Sequence, residues 1–150
     1  MIIISGGQTG ADRGALEAAQ KYGVQTGGYA PKWFMTEKGS DLTLKHFNLL
    51  DSGLNYVGRT ALNAKMADIT LWFGEEDTLG YAATKRECRK VCKPFVNATH
   101  LTPTQIVDMI MGKEIINIAG NRESLSPGIQ KKVFGIVYDI IRIKKDRGEI

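Results

Sequence analysis

Short buried-type apolar runs alternate with amphipathic stretches along the chain. The first run, Met1-Ile2-Ile3-Ile4-Ser5, is β-branched and stops at a glycine pair, which is the pattern of a buried strand. Over residues 12–22, Ala15, Leu16, Ala18, Ala19 and Tyr22 fall at helical spacing and Gly23 closes the segment. A short strand is predicted near 25–29, a helix over 59–67 and a strand over 68–73. Further on come a helix over 81–91, a strand over 94–96, a helix over 104–111 and a strand over 115–119. A long closing helix over 127–145 has Pro127 in its first turn.

Strands that alternate with helices predict an α/β protein with a mostly parallel sheet covered on both faces. The strongest apolar runs, 2–4, 69–73 and 115–118, are expected among the central strands. Between residues 30 and 58 the periodicity weakens, and Pro31, Gly39, Asp41, Asn48, Gly53 and Asn55 punctuate the segment. Long stretches of this kind are more often functional than idle. No repeat, low-complexity tract or linker divides the chain, so one ligand-binding domain is expected over residues 1–150.

Composition narrows the class. The 150 residues suit one core, and 43% hydrophobic with 24% charged residues argue against disorder. No apolar run is long enough to span a bilayer, so no membrane association is expected. Met1 leads directly into Ile2-Ile3-Ile4 with no basic segment, and only Cys88 and Cys92 are present. A cytoplasmic protein without disulfides is therefore expected. Cys88 and Cys92 can share a helix face, but no nearby His or further Cys completes a metal site, and none is assigned.

The net charge of +4 gathers in the last helix, at Lys131, Lys132, Arg142, Lys144, Lys145 and Arg147. A solvated helix face is the better reading than a nucleic-acid groove.

Candidate chemistry sits at strand ends, where open α/β sheets bind ligands. The first end is Ser5-Gly6-Gly7-Gln8-Thr9-Gly10-Ala11-Asp12-Arg13. Its glycines allow close backbone approach to an anion, a helix N-terminus follows, Thr9 adds a hydroxyl and Arg13 can pair with phosphate. It is neither the dinucleotide fingerprint nor a P-loop. The second end runs from Glu75-Glu76-Asp77 to Gly80 and Thr84. Gly80 and Thr84 can face the same cleft and the acids are expected to face solvent, with a plain loop as the competing reading. The third is Gly120-Asn121-Arg122-Glu123-Ser124-Leu125-Ser126. There Ser124 or Ser126 can cap the next helix, and Glu123 can pair with Arg122. A fourth element places Arg59, Thr60 and Asn63 on one helix face, with Arg59 suited to bidentate phosphate binding.

These elements, in this order, resemble the molybdenum cofactor carrier family over nearly the whole chain. The resemblance rests on Ser5 to Ala15 and on Gly28-Tyr29-Ala30-Pro31-Lys32 with Glu37 and Gly39. It continues through Arg59-Thr60, Asn63, Asp68, Gly80 and Thr84. It ends at Asn117-Ile118-Ala119-Gly120, Arg122-Glu123-Ser124 and Pro127-Gly128. It implies a Rossmann-like three-layer sandwich related to the cytokinin-activating phosphoribohydrolases. It also implies a homo-oligomer and a bound ligand built like molybdenum cofactor (molybdopterin) or a nucleotide. Lys32 joins the expected binding residues on this ground. Trp33 stands where Gly is usual, and Asn121 where Pro is usual. The segment before Arg59 has Phe47, Leu49 and Asp51 for the usual Tyr, Leu and Glu, and is one residue short.

The favoured reading is a carrier or sensor of a phosphorylated, nucleotide-like small molecule. The alternative is an N-glycosidase acting on nucleoside monophosphates. For it, Arg59 precedes a strand and Thr84-x-x-Glu87 follows it, so that Glu87 can stabilise a ribosyl cation or activate water. A nucleic-acid module rests on the basic terminal helix alone.

Overall fold

The structure, a computed structural model, describes residues 1–150. Its elements in chain order begin with β1 (Ile2–Ile4), α1 (Ala11–Lys21), β2 (Gln25–Gly27) and β3 (Tyr29–Ala30). A short hairpin of β4 (Met35–Thr36) and β5 (Gly39–Ser40) follows, then β6 (Leu50–Asp51), α2 (Tyr56–Met66) and β7 (Ile69–Phe73). The chain ends with α3 (Leu79–Lys90), β8 (Phe95–Asn97), α4 (Pro103–Met109), β9 (Ile115–Gly120) and α5 (Ile129–Asp146).

The main sheet has the order β2-β1-β9-β7-β8, and all neighbours are parallel. The three strongest apolar runs are its three middle strands. Helices α1, α4 and α5 pack together on one face, and α2 and α3 pack together on the other. This is a Rossmann-like three-layer sandwich. Count β9 as first, then β1, β2, β7 and β8 as second to fifth, and the order reads 3-2-1-4-5, the Rossmann order cut between α5 and β1. The crevice of such a sheet opens between β9 and β7.

The weakly periodic segment folds into short strands around a core of its own. Two short strand pairs, β3 with β6 and β4 with β5, frame a second core of Leu16, Ala30, Phe34, Leu44, Phe47 and Leu49. Helix α2 begins at Tyr56, a turn earlier than the periodicity predicts, because the Asn55 side chain caps it by accepting from Gly58 N–H (2.9 Å). Helix α5 starts at Ile129, after Gly128 in a left-handed turn, so Pro127 lies outside its first turn.

The basic residues at the end of α5 and just beyond it are committed within the chain. Lys144 is buried against Glu149 (3.2 Å), Lys145 donates to the Tyr22 carbonyl (2.8 Å) and Arg147 pairs with Asp108 (2.7 Å). No helix is long and apolar enough to cross a membrane.

Candidate functional site

Side chains of a strand alternate between the two faces of its sheet. On β7 and β9, Ile69, Leu71, Phe73, Ile116 and Ile118 enter the large apolar core with α1, α4 and α5. Thr70, Trp72, Asn117 and Ala119 therefore face α2 and α3, with Thr70 beside Asn117 and Trp72 beside Ala119 in register. Above them, between α2 and α3 and open at the strand ends, is a cavity of about 620 Å³. Its position is the switch point between β9 and β7, where ligand sites of this architecture form.

The glycine loop after β1 does not face this cavity as an empty anion cradle. Its N–H groups are occupied by the chain itself. Gly7 N–H donates to Ser5 Oγ (3.3 Å), Gln8 N–H to the Asp12 carboxylate (3.2 Å) and Thr9 N–H to the Gln8 side chain (3.0 Å). The anion that the loop holds is Asp12, which Arg59 meets from the other side at 3.3 Å. Burial raises the Asp12 carboxyl above its ordinary value, although Arg59 and the Gln8 and Gly6 N–H groups pull it down.

The glycines of this loop also answer to packing. A methyl on Gly6 would lie 1.4 Å from Arg59 Nη1. One on Gly7, whose φ is +78°, would lie 2.7 Å from Leu44 Cδ1 in the second core. One on Gly10 would lie 2.4 Å from the Asn121 carbonyl, because the first and third strand-end loops touch there.

The third loop is likewise satisfied from within. Glu123 caps α5, accepting from Gly128 N–H (2.6 Å) and Gln130 N–H (3.0 Å), so the acid at that helix end is the chain's own. Glu37, in the turn of the β4–β5 hairpin, binds the two loops together. Its carboxylate accepts from the Thr9 and Ser124 hydroxyls and from Ser124 N–H (3.2 Å), and lies 3.4 Å from Arg122 Nε. Burial acts to raise Glu37, but the hydrogen bonds from Ser124 and Thr9 outweigh it and hold the carboxyl below its ordinary value.

The N-terminus of α3 differs from both. Thr78 caps it by accepting from Tyr81 N–H (3.1 Å), and no carboxylate caps it. Thr78, Leu79 and Gly80 line the cavity mouth, with Arg59 and Arg122 also on its walls. Glu75, Glu76 and Asp77 are exposed, as expected, and Glu76 accepts from Asn97 Nδ2 (2.7 Å). Asp77 nonetheless borders the mouth.

The structure thus brings together only part of the expected binding set. Gly6, Gln8 and Asp12, then Arg59, Thr60 and Asn63, line the cavity. So do Gly80, Thr84, Gly120 and Arg122. Asn63 is spent on structure, since its carboxamide makes both hydrogen bonds to the Tyr29 backbone (2.8 and 3.0 Å). Gly7, Thr9, Gly10, Glu123 and Ser124 lie outside for the reasons given. Arg13 turns away to Glu17 (2.8 Å), Asp41 (3.0 Å) and the Phe47 ring. Lys32 lies over the ring of Trp33 and does not line the cavity. Glu87 is buried but outside the cavity, against Lys90 (3.2 Å) and Arg86 (3.5 Å).

Sequence reasoning missed the floor. The three buried side-chain polar atoms without a partner, Trp72 Nε1, Asn117 Oδ1 and Asn121 Oδ1, all belong to cavity-lining residues. Each such atom costs about 1–3 kcal/mol. Asn117, a lone amide inside the apolar run Ile115–Ile118, was the available signal.

Fold and crevice together define a Rossmann-like α/β protein with its cavity at the switch point of a permuted sheet. The chain belongs to the circularly permutated YpsA SLOG family, whose sequence profile matches residues 3–141. The permutation read from the strand order agrees with that description. The chain is also similar in structure to the "Putative molybdenum carrier protein" of Syntrophus aciditrophicus SB. The two share 28% identity with a TM-score of 0.77, over 95% of this chain and 92% of that one. No curated protein matches the chain. Family and neighbour both point to a ligand-binding role.

Proposed function

We propose that the protein is a carrier or sensor that holds a phosphorylated, nucleotide-like small molecule in the cavity between α2 and α3. The phosphate is placed at the N-terminus of α3, facing Arg59 and Arg122, and the ring system over the floor of β7 and β9. The observation that carries this reading is the contrast among the three strand-end loops. Two have their donors filled by Asp12 and Glu123, and the third opens on the cavity without a carboxylate cap.

Nucleotides and molybdenum cofactor are the ligand classes this covers. The organic part of molybdenum cofactor suits the donor set: two arginines and a helix end for its phosphate, and unpaired amide and indole groups for its pterin. The cavity walls contribute no thiol or imidazole. Were that cofactor bound, it would bring its own metal, and Arg59, Arg122, Trp72 and Asn117 would hold its phosphate and pterin. The same reading takes residues 1–150 as one ligand-binding domain of a cytoplasmic homo-oligomer. Exposed apolar side chains at the mouth, Tyr56, Val57, Leu79 and Leu125, are compatible with assembly there.

The N-glycosidase reading loses support, because Glu87 is off the cavity and the acid beside Arg59 is the ion-paired Asp12. Native mass spectrometry of the protein purified from its own host tests the proposal. A retained mass of a nucleotide or phosphorylated pterin is expected. A retained ligand without phosphate would overturn it.

A further inference from the structure

The floor of the cavity carries polar chemistry that the fold does not use. Trp72 and Asn117 are 2% and 3% exposed and sit on neighbouring central strands, on the face toward α2 and α3. The Asn117 amide nitrogen donates to Thr70 Oγ1 (3.2 Å). That contact takes the nitrogen end of the carboxamide and leaves Oδ1 without a partner. Trp72 packs edge-on against Tyr81 (5.4 Å between centroids), which orients the indole, and its Nε1 is a free donor. Central strands normally bury apolar side chains here, and unpartnered buried polar atoms are rare in native proteins. Two of them on adjacent strands of one cavity floor, one donor and one acceptor, make a complementary pair.

We infer that Trp72 and Asn117 form a ring-selecting subsite: they recognise a neutral nitrogen heteroaromatic of the purine or pterin class through an edge carrying one acceptor and one donor. The indole N–H donates to a ring nitrogen or carbonyl, and Asn117 Oδ1 accepts from a ring N–H or amino group. No charged side chain lies on this part of the floor, which suits an uncharged ring. The inference rests on the binding reading proposed above, whose phosphate half involves different residues.

The sequence holds two tryptophans, and the other, Trp33, is 63% exposed and outside the cavity. Trp33→Phe therefore leaves Trp72 as the only indole reporter. This variant is titrated with GMP, AMP, hydroxymethylpterin diphosphate and ribose phosphate, with affinities of the otherwise unmodified chain taken by calorimetry. At least one ring-bearing ligand should shift Trp72 emission and bind about 10-fold or more tighter than ribose phosphate. Trp72→Phe and Asn117→Leu should each lower the ratio of ring-ligand to ribose-phosphate affinity by about 5- to 10-fold. Asn117→Leu also removes the hydrogen bond to Thr70, so a retained cooperative thermal transition of the free variant is what separates lost recognition from lost folding. Phosphorylated ligands that bind with no advantage for the ring, or with a ratio unmoved in both variants, overturn the subsite and leave the carrier reading standing. Binding of none of the four overturns both.

Discussion

The guanidinium of Arg59 lies 3.3 Å from the carboxylate of Asp12 and covers the Cα of Gly6, so α2, α1 and the loop after β1 close one wall of the cavity. Both charges are largely buried, at 12% and 6% side-chain exposure. Breaking such a pair from one side is costly because the remaining charge has no partner. Arg59→Ala should therefore destabilise the protein by about 3–5 kcal/mol near neutral pH. The sign of the pH dependence follows from Asp12. Its carboxyl is raised in the folded state, so folding favours the protonated form, and that contribution is lost as pH rises through the folded value. Removing Arg59 raises the carboxyl further, so the deficit of the variant should shrink as pH falls. Adding Asp12→Asn should recover most of it. Urea unfolding across pH checks this, and a pH-independent deficit would assign the loss to packing instead.

Glycine substitutions should separate by what the new methyl meets. Gly6→Ala pushes against the flexible end of Arg59 and should weaken nucleoside monophosphate binding with a modest loss of stability. Gly10→Ala meets the Asn121 backbone at a φ of +84°, and Gly7→Val meets Leu44 and Leu49. These two should lower the melting temperature more than Gly6→Ala does. Thermal unfolding beside calorimetric titration with GMP measures both effects.

The arginines should also divide. Arg122→Ala should weaken GMP binding by about 10- to 100-fold, the effect of one charge-assisted contact. Arg13→Ala should leave affinity nearly unchanged, because its guanidinium is held by Glu17 and Asp41. Equal losses for the two would place the phosphate away from the α3 end.

Glu37 is a pH-sensitive tie between the hairpin and the two loops. Its carboxyl is held below the ordinary 4.5, so its contribution is present above that value and is lost as pH falls through the folded one. Glu37→Gln should cost about 1–3 kcal/mol at neutral pH. The stability curves of the variant and the unmodified protein should converge in acid. Curves that stay parallel down to about pH 3 would show that Glu37 stabilises by shape alone.

Chemistry is tested by incubating the protein with nucleoside monophosphates and assaying free base. None is expected, and Glu87→Gln should leave ligand affinity unchanged. Base release that disappears in Glu87→Gln would establish the hydrolase.

Much of the frame was legible in order along the chain. The apolar runs at Ile2–Ile4, Ile69–Phe73 and Ile115–Gly120 announce the middle strands, since a strand buried on both faces reads as continuous apolar sequence. The segment from Ala30 to Gly58 was not legible. Its core is assembled from single residues, such as Phe34, Leu44 and Phe47, that follow no period. Arg59, Gly80 and Thr84 share one cavity, a placement legible in sequence because helix spacing and strand-end position are local properties. Arg13 was misplaced because its partner, Asp41, is remote in sequence.

The sequence by itself determined the alternation of elements, the parallel class of the sheet and the strand ends at which a ligand can sit, because periodicity and turn residues act over a few positions. Tertiary structure alone decided which strand-end loops have their donors filled by the chain's own carboxylates. A glycine loop looks the same in sequence whether it waits for phosphate or encloses a carboxylate. Asp12 enters the first loop and Glu123 turns back onto α5, filling donors that would otherwise face an anion. Strand register likewise set Trp72 and Asn117 on one face, where both residues line one cavity and each keeps a buried polar atom without a partner. Hydrogen-bond satisfaction is a property of the folded surroundings, and no short stretch of sequence contains it.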